Sequence, residues 1–234
     1  FLCASSLEST RILLNSRNPS GALSDQLPAL GLHLSDHVML KAEGLSPPLP
    51  ITPLPDPGRC LYLPRFDLRD GGDAHRRGYG IQLYVTANQA GAWTTAVGFG
   101  ETSQSLPSRV SLSKRLKDRW GKPALLIDSE WGDPERALAG SISQGLDDLF
   151  EAIGVKALIR PAGPAAPGSS VHECGGARIG KDPATSVLTP QNECWAMPGL
   201  YVTDGAALPS QGIQNPTLTI MALTARACET AVSR

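Results

Sequence analysis

The chain has 234 residues, 41% of them hydrophobic, which is enough for one substantial core and large for a single core if two sheets are present. Charged residues are 18% and the formal net charge is -1, so nothing marks a surface for nucleic acid or for an anionic membrane. With 24 glycines, 20 prolines and 5% aromatics, the composition is that of a turn-rich α/β or α+β protein and not of a disordered chain.

From the N-terminus, Phe1-Leu2-Cys3-Ala4 reads as the tail of a buried strand, and Ser5 to Thr10 lead into a helix over 11–16. A strand running straight into a helix is half of a βα unit, whose partner strands are expected upstream or on another chain. A turn-rich stretch at Asn18-Pro19-Ser20-Gly21 precedes a strand over 38–42. Pro47, Pro48, Pro50, Pro53, Pro55 and Pro57 predict a loop over 44–58. A short strand over 61–66 is expected to break at Pro64, and 79–87 alternates apolar and polar residues as a half-buried strand does. Further strands are expected over 95–101 and 109–112, a turn over 117–121 and a buried strand over 124–127. The strongest helix spans 134–153, with Asp133 as N-cap, Pro134 at the first helical position and Gly154 at the end. Leu138, Ile142, Leu146, Leu149, Phe150 and Ile153 form its apolar stripe. Short strands crossed by one long helix predict a mostly antiparallel sheet under a helical layer.

A Gly/Pro/Ala linker over 161–168 separates this body from a segment of different character. Three pieces occur there in order: Val171-His172-Glu173-Cys174-Gly175-Gly176, then Leu200-Tyr201-Val202-Thr203-Asp204-Gly205, then Gln214-Asn215-Pro216-Thr217-Leu218. The second reads as a buried strand ending in small residues that let backbone approach a bulky ligand. The third reads as a helix start, with Asn215 as cap, Pro216 in the first position and Leu218, Met221, Ala222 and Ala225 facing inward. Such a start presents free N–H groups to negative charge. An imidazole suits proton removal at neutral pH, and a carboxamide can fix an oxygen as an oriented dipole.

Together the three pieces resemble the C-terminal signature of the glucose–methanol–choline (GMC) oxidoreductase family. In that pattern a histidine precedes a Gly-rich turn, a strand ends in Asp-Gly or Asp-Ala, and His or Asn directly precedes a helix. The likeness extends to Cys3-Ala4-Ser5-Ser6-Leu7-Glu8-Ser9-Thr10, to Asp36-His37, to Gly100-Glu101, to Arg109-Val110-Ser111-Leu112 and to Asp133-Pro134-Glu135. The resemblance implies an α/β FAD-binding domain, only partly present in this chain (1–20 and 165–234), and an α+β substrate-binding domain with a mostly antiparallel sheet (21–164). It implies oxidation of an alcohol, that of a sugar or polyol, by hydride transfer to flavin N5, with His172 and Asn215 catalytic and His172 as the base. FAD is expected at Ala4, Asp204, Gly205, Asn215, Pro216 and Thr217. Two departures stand out. The Gly-x-Gly-x-x-Gly phosphate loop is absent, which implies an N-terminal FAD-domain polypeptide missing from or separate to this chain, and Ser5 stands where the family has Gly.

The plainer readings are weighed beside it. His37 reads as structural, at a domain junction; His33 and His75 read as solvated, and Glu173 as a surface or salt-bridged residue. The four tryptophans are too scattered for a stacking platform. Arg76-Arg77 and Lys114-Arg115 read as solvated faces. Five cysteines with no C-x-x-C spacing argue against a disulfide framework and a zinc site, and no metal is expected. Cys174 and Cys194 read as small buried hydrophobes. No run is long enough to span a membrane and no signal peptide is visible, so a cytoplasmic place is favoured over a secreted one. The alternatives are a non-catalytic GMC-like partner subunit or fragment, and a flavin-containing lyase of the same family.

Overall fold

A computed structural model describes residues 1–46, 60–65, 78–88, 91–103 and 107–233. Most of the proline loop, Phe66, His75 and Arg76-Arg77 lie outside the described residues. In chain order the elements are α1 (Ser6–Leu14), β1 (Arg17–Asn18), β2 (Gly21–Ala22), α2 (Leu23–Gln26), β3 (Val38–Ser46), β4 (Cys60–Arg65), β5 (Tyr79–Asn88), β6 (Gly91–Gly100), β7 (Arg109–Lys117), β8 (Pro123–Asp128), α3 (Asp133–Ala152), β9 (Lys156–Ile159), a 3-10 turn (Gly205–Ala207) and α4 (Thr217–Val232).

Five strands form one sheet in the order β4-β5-β6-β3-β9, and every neighbouring pair is antiparallel, as expected. The alternation of the strands gives the sheet two different faces. On one, Leu40, Ala42, Ile81, Leu83 and Ala96 meet Ala139, Ile142, Leu146 and Phe150 of α3 in a single buried cluster. Close approach of the helix depends on glycine: a Cβ at Gly98 would lie 2.2 Å from Ile142 Cγ2. On the opposite face the same strands carry Gln82, Tyr84 and Phe99, because residues two apart share a side. That face turns toward the loops of the C-terminal segment.

A second buried cluster joins Leu13 of α1 and Leu23 and Leu27 of α2 to Ala177, Val187, Leu188, Cys194, Val202 and Ala206. It is built with little regular structure. Isolated bridges pair Leu2 with Val202 (parallel), Ser35 with Cys174, Leu188 with Cys194 and Glu193 with Tyr201. The β7–β8 hairpin lies against α1, tied by Arg11 Nη2 donating to Asp118 Oδ2 at 2.5 Å.

Several local expectations are corrected. Pro64 does not break its strand: β4 is an edge strand, where a missing N–H costs no ladder bond, and Pro64 pairs in register with Gly80. The strand over 124–127 is not buried, since Leu126 and Ile127 are exposed and the hairpin is covered on one side only. The helix after Ser5 begins at Ser6, earlier than expected, and only Leu2 of the first four residues joins a bridge. On α3 the N-cap falls at Gly132, whose N–H donates to Glu135 Oε2 at 3.0 Å, and Ile153 is exposed beyond the last turn. The inward stripe expected on α4 is absent: Leu218, Met221, Ala222 and Ala225 are exposed and only Ala227 is buried.

Among the described residues no helix is long and apolar enough to cross a membrane, and no group of His, Cys, Asp or Glu is arranged to hold a metal.

Candidate active site

His172 sits on a loop that is pinned from both sides. Upstream, Gly168 N donates to Asp36 Oδ2 at 2.8 Å and Ser170 Oγ donates to Asp36 Oδ1. Downstream, Ser35 and Cys174 exchange backbone hydrogen bonds at 2.8 and 2.9 Å. Between them Val171 has φ 53°, a conformation that a β-branched residue adopts only under strain of roughly 1–3 kcal/mol, and its side chain is exposed. The loop therefore presents His172 at a backbone shape that its surroundings impose.

The side chains that meet there come from five parts of the chain. Asn215 Nδ2 lies 3.0 Å from His172 Nε2, across 43 residues of sequence. Gln82 Nε2 donates to Asn215 Oδ1 at 2.6 Å, and the Tyr84 hydroxyl donates to Gln82 Oε1 at 2.8 Å. On the other side of the ring, His172 Nδ1 lies 3.0 Å from His37 Nδ1, and His37 Nε2 lies 3.0 Å from Gly212 O. Gln211 Nε2 donates to the carbonyl of His172 at 2.5 Å and lies 3.4 Å from His37 Nδ1. The Phe99 ring approaches both imidazoles, 5.6 Å from His37 and 5.7 Å from His172 between centroids.

Asn215 does not cap the helix that follows it. The N-cap is Pro216, one position later than expected, with no side-chain cap on α4. The carboxamide is turned instead toward Gln82 and His172, which engage both its ends.

Burial sets the acid–base character of the pair. It holds the His172 imidazole below its ordinary pKa, against the through-space pull of Asp36 and Glu173. His37 is buried, and desolvation, helped by the neighbouring His172, lowers its pKa to about 4. Burial pushes the Cys174 thiol up to about 12, which leaves it a poor nucleophile beside the site; Cys174 and Cys194 are both free and buried.

The residues expected at the cofactor fall into two groups. Ala4, Asp204 and Gly205 come together: Ser9 Oγ accepts from Ala4 N at 3.0 Å and donates to Asp204 Oδ2 at 2.5 Å, while Asp204 Oδ1 takes the Ala206 N–H at 2.8 Å and opens the 3-10 turn. Asn215, Pro216 and Thr217 form the start of α4. Ser5 has φ 79°, the region that favours glycine.

Four contributors were not singled out from the sequence as site residues: His37, Gln82, Tyr84 and Gln211. Only His37 carries a signal, the Asp36-His37 pair, and that signal by itself suggests a structural place at a domain junction. Gln82 and Tyr84 lie on a strand legible by its alternation, but nothing local says which loop its polar face meets.

The family model described as GMC oxidoreductase matches residues 104–224. The 2-methyl-1,2-propanediol dehydrogenase of Mycolicibacterium austroafricanum is 34% identical over 131 residues, 55% of this chain and 23% of that protein. The C-glycoside 3-oxidase of Arthrobacter globiformis is 31% identical over 119 residues, 50% of this chain and 23% of that protein. A formate oxidase from Aspergillus oryzae RIB40, solved in connection with modification of its FAD, superposes with a TM-score of 0.67 over 100% of this chain and 54% of its own, at 15% identity, a likeness of fold alone. The chain thus spans about half of that structure, and its matches take in about a quarter of each curated relative. The family match covers more than half of the residues and includes both His172 and Asn215, so this chain belongs to the GMC oxidoreductases and carries their C-terminal portion.

Proposed function

We propose that this chain supplies the alcohol-oxidising site of an FAD-dependent enzyme, with His172 taking the hydroxyl proton and Asn215 holding the oxygen. The observation that carries this reading is the 3.0 Å approach of Asn215 Nδ2 to His172 Nε2. A hydroxyl seated against both groups, taking the place of their direct contact, would donate to the imidazole and accept from the carboxamide, the arrangement that proton removal needs. With its pKa held down by burial, His172 is uncharged at neutral pH and ready to accept. Asn215 has no proton to exchange in this range, so its part is orientation. Phe99 and the buried His37 shield the far side of the ring from water.

Enzymes of this family bind FAD. The residues here fit part of it. The first turn of α4 has no side-chain cap and Thr217, Leu218 and Thr219 are exposed, so its N–H groups are free for the electron-rich edge of a flavin ring. Asn215, Pro216 and Thr217 would hold that edge, and Ala4, Asp204 and Gly205 would line the approach. When bound, FAD would take the hydride from the carbinol carbon at N5. The chain has no glycine loop to cradle the diphosphate. We propose that a further N-terminal polypeptide carries it, completing the FAD-binding domain formed in part by 1–20 and 165–234, with 21–164 as the substrate-binding domain. The exposed Leu218 and Met221 of α4 and the isolated parallel bridge of Leu2 with Val202 support such a neighbour. A diol and a C-glycoside named for two relatives support a polyol or sugar as substrate.

The test is anaerobic flavin reduction in the complete protein with a panel of polyols and sugars. His172→Ala should slow it by about 10²- to 10⁴-fold. An unchanged rate would remove His172 from the reaction.

A further inference from the structure

One backbone carbonyl orders the protons around His172. His37 Nε2 lies 3.0 Å from Gly212 O. A carbonyl oxygen only accepts, so this nitrogen carries the proton. His37 is 1% exposed and holds a single ring proton at neutral pH, so its Nδ1 keeps a lone pair. Two groups face that lone pair, His172 Nδ1 at 3.0 Å and Gln211 Nε2 at 3.4 Å. The Gln211 carboxamide cannot be turned about, because the same nitrogen donates to the His172 carbonyl. The proton between the two rings therefore belongs to His172 Nδ1. A neutral His172 then has its lone pair on Nε2, where Asn215 Nδ2 donates. Asn215 Oδ1 accepts from Gln82, and Gln82 Oε1 accepts from Tyr84. Seen from the Tyr84 end alone, the chain of bonds has two self-consistent directions, since a phenol both gives and accepts. The Gly212 carbonyl, at the other end, leaves one.

We propose that His37 is a positioning residue that, together with the Gly212 carbonyl, locks His172 in the Nδ1–H tautomer and so aims its Nε2 lone pair at Asn215 and at the alcohol. The value of this lock rests on the reading of His172 as the base, but the tautomer itself does not. The charged groups acting on the two rings are Asp36 and Glu101 on His37 and Asp36 and Glu173 on His172, all through space. A neutral acceptor behind the base differs from a carboxylate in that it forms no ion pair with the imidazolium. The proton gained at Nε2 thus remains easy to lose.

Two-bond proton–nitrogen correlation spectra of the complete protein, labelled with ¹⁵N at histidine, report each tautomer directly. At neutral pH His172 should show the Nδ1–H pattern and His37 the Nε2–H pattern. In His37→Leu, His172 should shift to mixed or Nε2–H population, and flavin reduction at saturating alcohol should fall about tenfold or more with KM little changed. In His37→Gln, whose carboxamide oxygen can accept from Nδ1–H, both should be largely restored. An Nε2–H pattern for His172 in the unsubstituted protein would overturn the proposal, and that spectrum decides even if His37→Leu does not fold. An unchanged His172 pattern in a folded His37→Leu would overturn it equally. A tautomer that responds as expected while flavin reduction does not would leave the lock standing and defeat instead the assignment of His172 as base.

Discussion

In the sheet body, strands of nine and ten residues pair in continuous register and one 20-residue helix closes their apolar face. In the segment after residue 165, short isolated bridges, a three-residue 3-10 turn and loop-to-loop backbone bonds hold the chain, and Val171 and Asn192 sit at positive φ. The first region is stabilised by burial of hydrocarbon in a pattern that each strand repeats. The second spends hydrogen bonds, strain and a buried imidazole to place a few polar atoms. A scaffold tolerates averaging over many contacts, whereas a site needs particular atoms at particular distances.

The contrast can be broken first at the sheet. Ile142 is fully buried over Gly98, so Ile142→Ala should remove about 4 kcal/mol from the body, by lost transfer energy and an uncollapsed cavity. Hydrogen exchange in the complete protein should show β3, β5 and β6 opening far more readily while the amides at 174–177 change less. Equal loss in both regions would mean that they form one cooperative unit and that the contrast is only geometric.

Acid should act in the opposite place. His37 has a pKa near 4 when folded and about 6.5 when unfolded, so between those values the unfolded chain binds the extra proton. Stability from this group is therefore complete above pH 6.5 and is lost as pH falls toward 4, by about 3 kcal/mol in all. The groups that face His37 are His172, Asp36 and Glu101. Exchange protection around 168–175 should fall from pH 7 to 5, and His37→Gln should flatten that slope. A slope unchanged by the substitution would place the acid sensitivity elsewhere.

The smallest effect concerns strain. Ser5 at φ 79° holds a conformation that glycine adopts freely, so Ser5→Gly should stabilise the start of α1 by about 1 kcal/mol, seen as slower exchange at 6–10. A loss of stability would show that the serine side chain makes up for its backbone.

Legibility followed the same division. The antiparallel sheet and α3 could be read from alternation and from a 3.6-residue stripe, because those periods are properties of one element and do not depend on its neighbours. His172 and Asn215 could be singled out by the motifs around them. The burial expected of 124–127 and the inward face expected of α4 do not follow from their apolar residues, since an apolar stripe records what a surface can bury and not what lies against it.

What the sequence by itself determined, then, is the class of sheet, its covering helix and the two residues that carry the motif. Only the tertiary structure decided that His37, 135 residues from His172, backs the imidazole, and that Gln82, 133 residues from Asn215, grips its carboxamide. The physical reason is that such meetings depend on strand register and loop path together. A shift of one residue in β5 would turn Gln82 to the other face of the sheet, and no local pattern of side chains would record the change.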